Sequence, residues 1–130
     1  MRLPVLFAAL AGLAVPAAAQ SQLFRIFFDW GKPDITRDGE TILGEVVAAY
    51  QQQHPAHIAI AAHTDRSGPT GFNLGASRRR GEAVKAYLAE HGVPASAMTV
   101  TAYGESRPIV ATEDGVREVQ NRRVEIRLEP

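Results

Sequence analysis

The chain has no cysteine, no excess of charge of either sign, and no apolar run long enough to span a bilayer. Without thiols, disulfides, Cys-based zinc sites, Cys nucleophiles and a lipid-bearing Cys anchor are all excluded. In its 130 residues, 14 Lys+Arg stand against 14 Asp+Glu. That balance removes the broad electrostatic attraction on which non-specific binding to nucleic acid or an anionic membrane depends. The longest apolar run, Leu3 to Val15, is about 13 residues, short of the ~20 that a transmembrane helix needs. Repeats, low-complexity tracts and linkers are also missing, and the length is that of one domain.

What is there begins with a distinct N-terminus. Arg2, the apolar run, Pro16 and then Ala17-Ala18-Ala19 have the layout of a secretory signal peptide with an A-x-A cleavage site. The expectation is cleavage after Ala19. Residues 20–130 would then be exported as a soluble domain with neither membrane span nor lipid anchor, since Ala19-Gln20 stands where a lipid-bearing Cys would be.

The exported part carries two periodicities. Phe24, Ile26 and Phe28 alternate with Arg25, Phe27 and Asp29 as a strand does. Thr36 is placed to cap a helix with the apolar stripe Ile42, Leu43, Val46, Ala49 and Tyr50, which His54-Pro55 ends. Ile58, Ile60 and Ala62 mark a second strand. A turn at Ser67-Gly68-Pro69 leads into a long helix from about Thr70 to His91, closed by Gly92 and Pro94. Thr99 to Tyr103 is a third strand and Arg123 to Leu128 a fourth. Because each clearly alternating strand has one polar face, the expected fold is α+β. It is a two-layer α/β sandwich in βαβαβ-β order, with a four-stranded mixed sheet covered by helices on one face. The long connection from Gly104 to Gln120 is of the kind that borders sites.

The informative anomaly lies in the long helix. At about 100° per residue, Asn73, Ser77, Arg80, Val84, Tyr87 and Leu88 share one arc, so Arg80 projects from the apolar stripe. Arg78 and Arg79 point away to solvent. A buried arginine needs a partner. By parity with Val124, Ile126 and Leu128, Arg122 also faces the helices, while Arg123 points to the opposite side. If the fourth strand runs antiparallel to the second, Arg122 approaches the end that carries His63, Thr64 and Asp65. Asp65, Asn73, Arg80 and Arg122 then line one pocket at the carboxyl ends of strands. Two readings stand side by side: a structural ion pair between Asp65 and Arg80, or a site for a ligand bearing both an ammonium and a carboxylate. Two arginines for one carboxylate favour the second, because a guanidinium can receive a carboxylate through two parallel hydrogen bonds.

The run His63-Thr64-Asp65, Gly68, Asn73, Ser77, Arg80, Ala83-Val84 and Tyr87-Leu88 is followed by Gly92-Val93-Pro94 and Tyr103-Gly104-Glu105-Ser106-Arg107-Pro108. Arg117 and Asn121-Arg122-Arg123-Val124-Glu125-Ile126 complete the series. Together with Phe28-Asp29 and Lys32, it resembles the OmpA-like peptidoglycan-binding domain over residues 23 to 128. The resemblance implies non-covalent binding of peptidoglycan through the meso-diaminopimelate of its stem peptide, with no cofactor and no catalysis. It implies that Asp65 holds the diaminopimelate ammonium and Arg80 its carboxylate. Asn73 and Arg122 would add hydrogen bonds, and Thr64 would help orient the loop. The location it implies is the periplasm, against the cell wall. Two departures stand out. Gly81 replaces the usual alanine and, at roughly 0.5–1 kcal/mol, is expected to loosen the helix near Arg80. Gly31 removes a side chain that relatives often carry.

Two other functions compete. A protein-interaction module of the cell envelope would use the same fold to contact periplasmic partners. A metal-dependent hydrolase would start from His63 and Asp65, but His54, His57 and His91 offer no third ligand by spacing.

Overall fold

A computed structural model describes residues 21–130. The signal-peptide reading of residues 1–19 lies outside the described residues. Four strands and two long helices follow the expected order: β1 (Gln22–Phe27), α1 (Arg37–Gln53), β2 (His57–His63), α2 (Thr70–Glu90), β3 (Met98–Gly104) and β4 (Arg123–Glu129). Single 3-10 turns precede β3 at Ala95–Ala97 and β4 at Val119–Asn121. Among the described residues, no helix is long and apolar enough to cross a membrane.

The sheet order is β1-β4-β2-β3. β4 runs antiparallel to both β1 and β2, whereas β2 and β3 are parallel. The carboxyl ends of β1, β2 and β3 and the beginning of β4 therefore meet at one end of the molecule. Alternation decides what each strand buries. Ile26, Ile58, Ile60, Ala62, Val124, Ile126 and Leu128 face the helices and pack on Leu43, Val46, Ala49, Val84 and Leu88. Both helices cover this one face, as the half-polar strands require.

The helix ends follow local chemistry. Thr36 Oγ1 accepts the Gly39 N–H at 3.0 Å, satisfying one of the free donors of the first turn of α1. His54 takes the left-handed conformation (φ 47°) at its other end. α2 stops at Glu90, where the Val93 N–H returns to the Leu88 carbonyl at 3.0 Å.

The expected loosening at Gly81 meets a different constraint, because α2 runs unbroken through this residue and buries it against the sheet. A Cβ at this position would lie 2.6 Å from Val100 Cγ1 and 3.2 Å from Ala62 Cβ. The missing side chain lets the helix sit directly on β2 and β3, which carries its neighbour Arg80 towards the strand ends. Close packing, not helix propensity, governs the position.

The uncovered face is more ordered than parity alone implies. Arg123 does point away from the helices, but it is buried instead of decorating the surface. The long connection folds back over it. Its guanidinium donates to the Arg107 carbonyl at 2.9 Å and to Glu125 at 3.0 Å. His63 lies beside it, 3% exposed and stacked on Tyr103 with ring centroids 5.2 Å apart. Neither of its ring nitrogens has a hydrogen-bond partner among the described residues. Burial, reinforced by Arg123, lowers its pKa from 6.5 to about 4.

Two measurements check these points. Gly81→Ala is expected to lower stability by about 1–3 kcal/mol through overpacking, despite its better helix propensity, in a urea titration. His63 stays neutral in the folded state while the unfolded chain takes up a proton below 6.5, so stability falls as pH drops from 6.5 to about 4. The loss is on the order of 2–3 kcal/mol. His63→Gln should flatten that part of the stability profile.

Candidate functional site

Where the strand ends converge, four segments supply the walls of a cavity of about 250 Å³. Trp30 and Gly31 come from the loop after β1, Thr64, Asp65, Ser67 and Gly68 from the turn after β2, and Asn73 and Arg80 from α2, with Arg122 leading into β4. All five residues singled out in the sequence, Thr64, Asp65, Asn73, Arg80 and Arg122, line it.

The partners are not distributed as the sequence suggested. Asp65 pairs with Arg122, whose Nη1 donates to Oδ2 at 3.0 Å. Among the described residues, it forms no ion pair with Arg80 within 4.0 Å. The Glu118 N–H reaches the same oxygen at 3.1 Å, and Ser67 gives Oδ1 both its N–H, at 3.2 Å, and its hydroxyl. Burial pushes the pKa of Asp65 up, but the bonds from Ser67, Arg122 and the Glu118 N–H outweigh it and hold the carboxyl below its ordinary value. Asp65 is therefore an ionised clamp joining the turn after β2 to the connection before β4.

Arg80 has no such carboxylate. It is 3% exposed, and its guanidinium packs on Phe28 at 5.3 Å from the ring centroid. Its donors go to backbone carbonyls: Nε to Lys32 at 3.1 Å, Nη1 to His63 at 3.2 Å and Nη2 to Asp29 at 3.3 Å. Three of five N–H groups are used. Burial lowers its pKa to about 10, partly offset by the field of Asp65, so it remains charged at neutral pH.

Asn73 spends its Nδ2 on the turn, donating to Gly68 O at 2.8 Å and Glu105 Oε1 at 3.2 Å. Its Oδ1 takes no hydrogen bond among the described residues. Thr64 anchors the strand end through its backbone, N–H to Gly104 O at 2.8 Å, while its buried hydroxyl has no partner among the described residues. Gly31 sits at φ 69°, a conformation that glycine, asparagine and aspartate share most readily. It is this backbone geometry, without any side chain, that Gly31 contributes to the wall.

Three contributors escaped sequence reasoning. Glu118 acts through a backbone N–H, which leaves no side-chain signal. Ser67 stood out only as a turn residue. Trp30, whose indole N–H donates to Ser67 Oγ at 3.0 Å, belongs to no periodic segment.

The sequence matches the profile of the OmpA family over residues 27–122. The chain belongs to the OmpA family. An "Outer membrane protein" of Gluconacetobacter diazotrophicus is 40% identical over 118 residues, a match covering 86% of this chain and 31% of that protein. The peptidoglycan-associated lipoprotein of Brucella melitensis is 34% identical over 118 residues, covering 87% of this chain and 70% of that protein. This chain thus spans less than a third of the first relative and most of the second. Among solved structures, the peptidoglycan-associated lipoprotein of Burkholderia pseudomallei superposes with a TM-score of 0.72 at 25% identity, over 78% of this chain and 86% of that one. The OmpA-like domain of FopA1 from Francisella tularensis does so with a TM-score of 0.76 at 14% identity, over 88% and 75%. The second match shows a shared fold.

Relatives in this family are non-enzymatic structural or binding proteins. Geometry points the same way for the metal-hydrolase alternative. His63 faces Tyr103 on the open side of the sheet, while Asp65 lines the cavity at its end with both oxygens engaged.

Asp65→Asn should leave the partly buried Arg122 without its counter-charge and cost about 3–5 kcal/mol at pH 7, read by urea denaturation. Because the folded carboxyl has the lower pKa, the stability that its charge contributes is present above about 3.9. It is lost as pH falls through the folded value.

Proposed function

We propose that this domain binds peptidoglycan non-covalently in the periplasm, taking the meso-diaminopimelate side chain of the stem peptide into the cavity at the strand ends. The observation that carries this reading is Arg80: a buried, charged guanidinium held by three carbonyls, with no carboxylate of its own and two N–H groups unused among the described residues. A fixed planar fork of that kind suits a carboxylate, and burial strengthens the bond it would form. The pocket holds two arginines for one aspartate, and because Asp65 is paired with Arg122, Arg80 is the one left for an incoming carboxylate to meet. The similarity to peptidoglycan-associated lipoproteins supports the same ligand class.

The amino end of the ligand has acceptors to meet. Among the described residues, Asn73 Oδ1 is unused and the Thr64 hydroxyl is unpaired. On Asp65 Oδ1, the Ser67 hydroxyl is the one contact that rotation of a single side chain releases. An ammonium taking its place gains a charged acceptor. In this scheme, Arg80 reads the carboxylate, Asp65 with Asn73 reads the ammonium, and Arg122 holds Asp65 in place. Binding is recognition of a zwitterion without bond making or breaking.

Co-sedimentation with isolated cell-wall sacculi tests it. The folded wild-type domain is expected to pellet and to be released by free meso-diaminopimelate. Arg80→Lys keeps the charge but loses the fork, and should reduce pelleting at least about tenfold, in line with about 2 kcal/mol for a charge-assisted hydrogen bond. Arg78→Ala, on the solvent side of α2, should pellet like wild type. Pelleting of folded Arg80→Lys at the wild-type level, together with indifference to diaminopimelate, would overturn the assignment.

A further inference from the structure

The mouth of the same cavity carries a third arginine, which the diaminopimelate reading leaves idle. Trp30 is 48% exposed, far more than a core aromatic, yet its position is fixed. Its indole N–H donates to Ser67 Oγ at 3.0 Å, and Ser67 in turn is bound to Asp65. Over the indole ring lies the Arg117 guanidinium, with Cζ 3.5 Å from the ring centroid. The neighbouring residue, Glu118, gives its N–H to Asp65, so the backbone also pins Arg117 beside the cavity. The Glu118 carboxylate is turned to the Gln120 N–H at 3.1 Å. Among the described residues, Arg117 has no carboxylate within 4.0 Å.

A stacked guanidinium keeps the edges of its fork free for hydrogen bonding. Stacking also removes rotamer freedom before any ligand arrives, which lowers the cost of binding. The other aromatic at the mouth, Phe72, lies 5.7 Å from Arg79, a looser contact.

We propose that Trp30 and Arg117 form a second subsite, in which the Arg117 guanidinium receives a further carboxylate carried by the same peptide ligand. This rests on the peptidoglycan reading above and extends it from one residue of the stem peptide to its neighbour. The ligand class is a peptide with a free carboxylate adjacent to the diamino acid. Trp30 is a positioning residue, because it acts by holding Arg117.

Calorimetric titration separates the two levels. Three ligands are compared: free meso-diaminopimelate, the tripeptide L-alanyl-γ-D-glutamyl-meso-diaminopimelate, and the same tripeptide with the glutamate α-carboxylate amidated. Arg117→Ala is exposed and should melt like wild type. It is expected to weaken the acidic tripeptide by about two- to fivefold, the range of an exposed ion pair, and to leave the other two ligands unchanged. Wild type should prefer the acidic to the amidated tripeptide by the same factor. Equal affinity of wild type and Arg117→Ala for the acidic tripeptide overturns the subsite while the diaminopimelate reading stands. An equal loss for all three ligands also overturns it, since Arg117 would then act through Asp65. If wild type binds none of the three, the peptidoglycan reading falls and the subsite with it. Trp30 is the single tryptophan of the chain, so its emission gives a second readout. It should shift on saturation with the acidic tripeptide, and an unchanged spectrum contradicts the proposal.

Discussion

A guanidinium buried at the end of a sheet has to be solvated by the protein, and Arg80 is solvated by backbone carbonyls from one loop and a strand end. Lys32 and Asp29 belong to the segment after β1, and His63 ends β2. Taking their carbonyl oxygens, the arginine fixes where both segments stop relative to α2. Packing on Phe28 completes the enclosure. Carbonyl dipoles stabilise the charge without cancelling it, which is why Arg80 stays protonated at neutral pH although burial brings its pKa to about 10. The constraint that organises this end of the molecule thus leaves a net charge facing the cavity.

The remaining polar groups divide by whether their bonding capacity is spent. Asp65 Oδ2, Arg122 and the amide nitrogen of Asn73 are committed to holding the turn after β2 against the connection before β4. Among the described residues, the Thr64 hydroxyl has no partner, and Arg80 keeps donors in reserve. A buried polar network with part of its capacity open is costly unless something fills it. The division also explains why the aspartate is a poor place to probe binding alone: its removal disturbs the walls before it disturbs the ligand. The open side of the sheet is a separate system, in which the Arg123–Glu125 pair and the stacked His63 are sealed by the returning connection.

Much of this was legible in the sequence because periodicity is a local signal. Alternation along β4 put Val124, Ile126 and Leu128 on the core side and therefore Arg122 with them. The 3.6-residue repeat put Arg80 among apolar neighbours, and the two routes located the same cavity. Thr36 and His54 marked the limits of α1 for reasons of capping chemistry. What stayed hidden depends on chain segments distant in sequence. Pairing of Asp65 with Arg122 instead of Arg80 goes with the carbonyls of Asp29, Lys32 and His63 that take the Arg80 donors, and backbone carbonyls leave no mark in the sequence. Burial of Arg123 depends on the path of the connection that covers it. The Glu118 N–H and the Trp30 indole enter through loop geometry that no repeat announces.

The central claim is that Arg80 carries an uncompensated charge kept for a carboxylate, and side-chain NMR tests it most directly. The Arg80 Nε–H resonance, assigned by comparison with Arg80→Lys, is followed while free meso-diaminopimelate and L-lysine are titrated in parallel. Lysine has the same chain with an ammonium but lacks the second carboxylate. The account predicts a saturable shift of that resonance with diaminopimelate and a weaker response to lysine. An Arg80 signal that stays fixed while diaminopimelate binds elsewhere, or that responds equally to both, would contradict it.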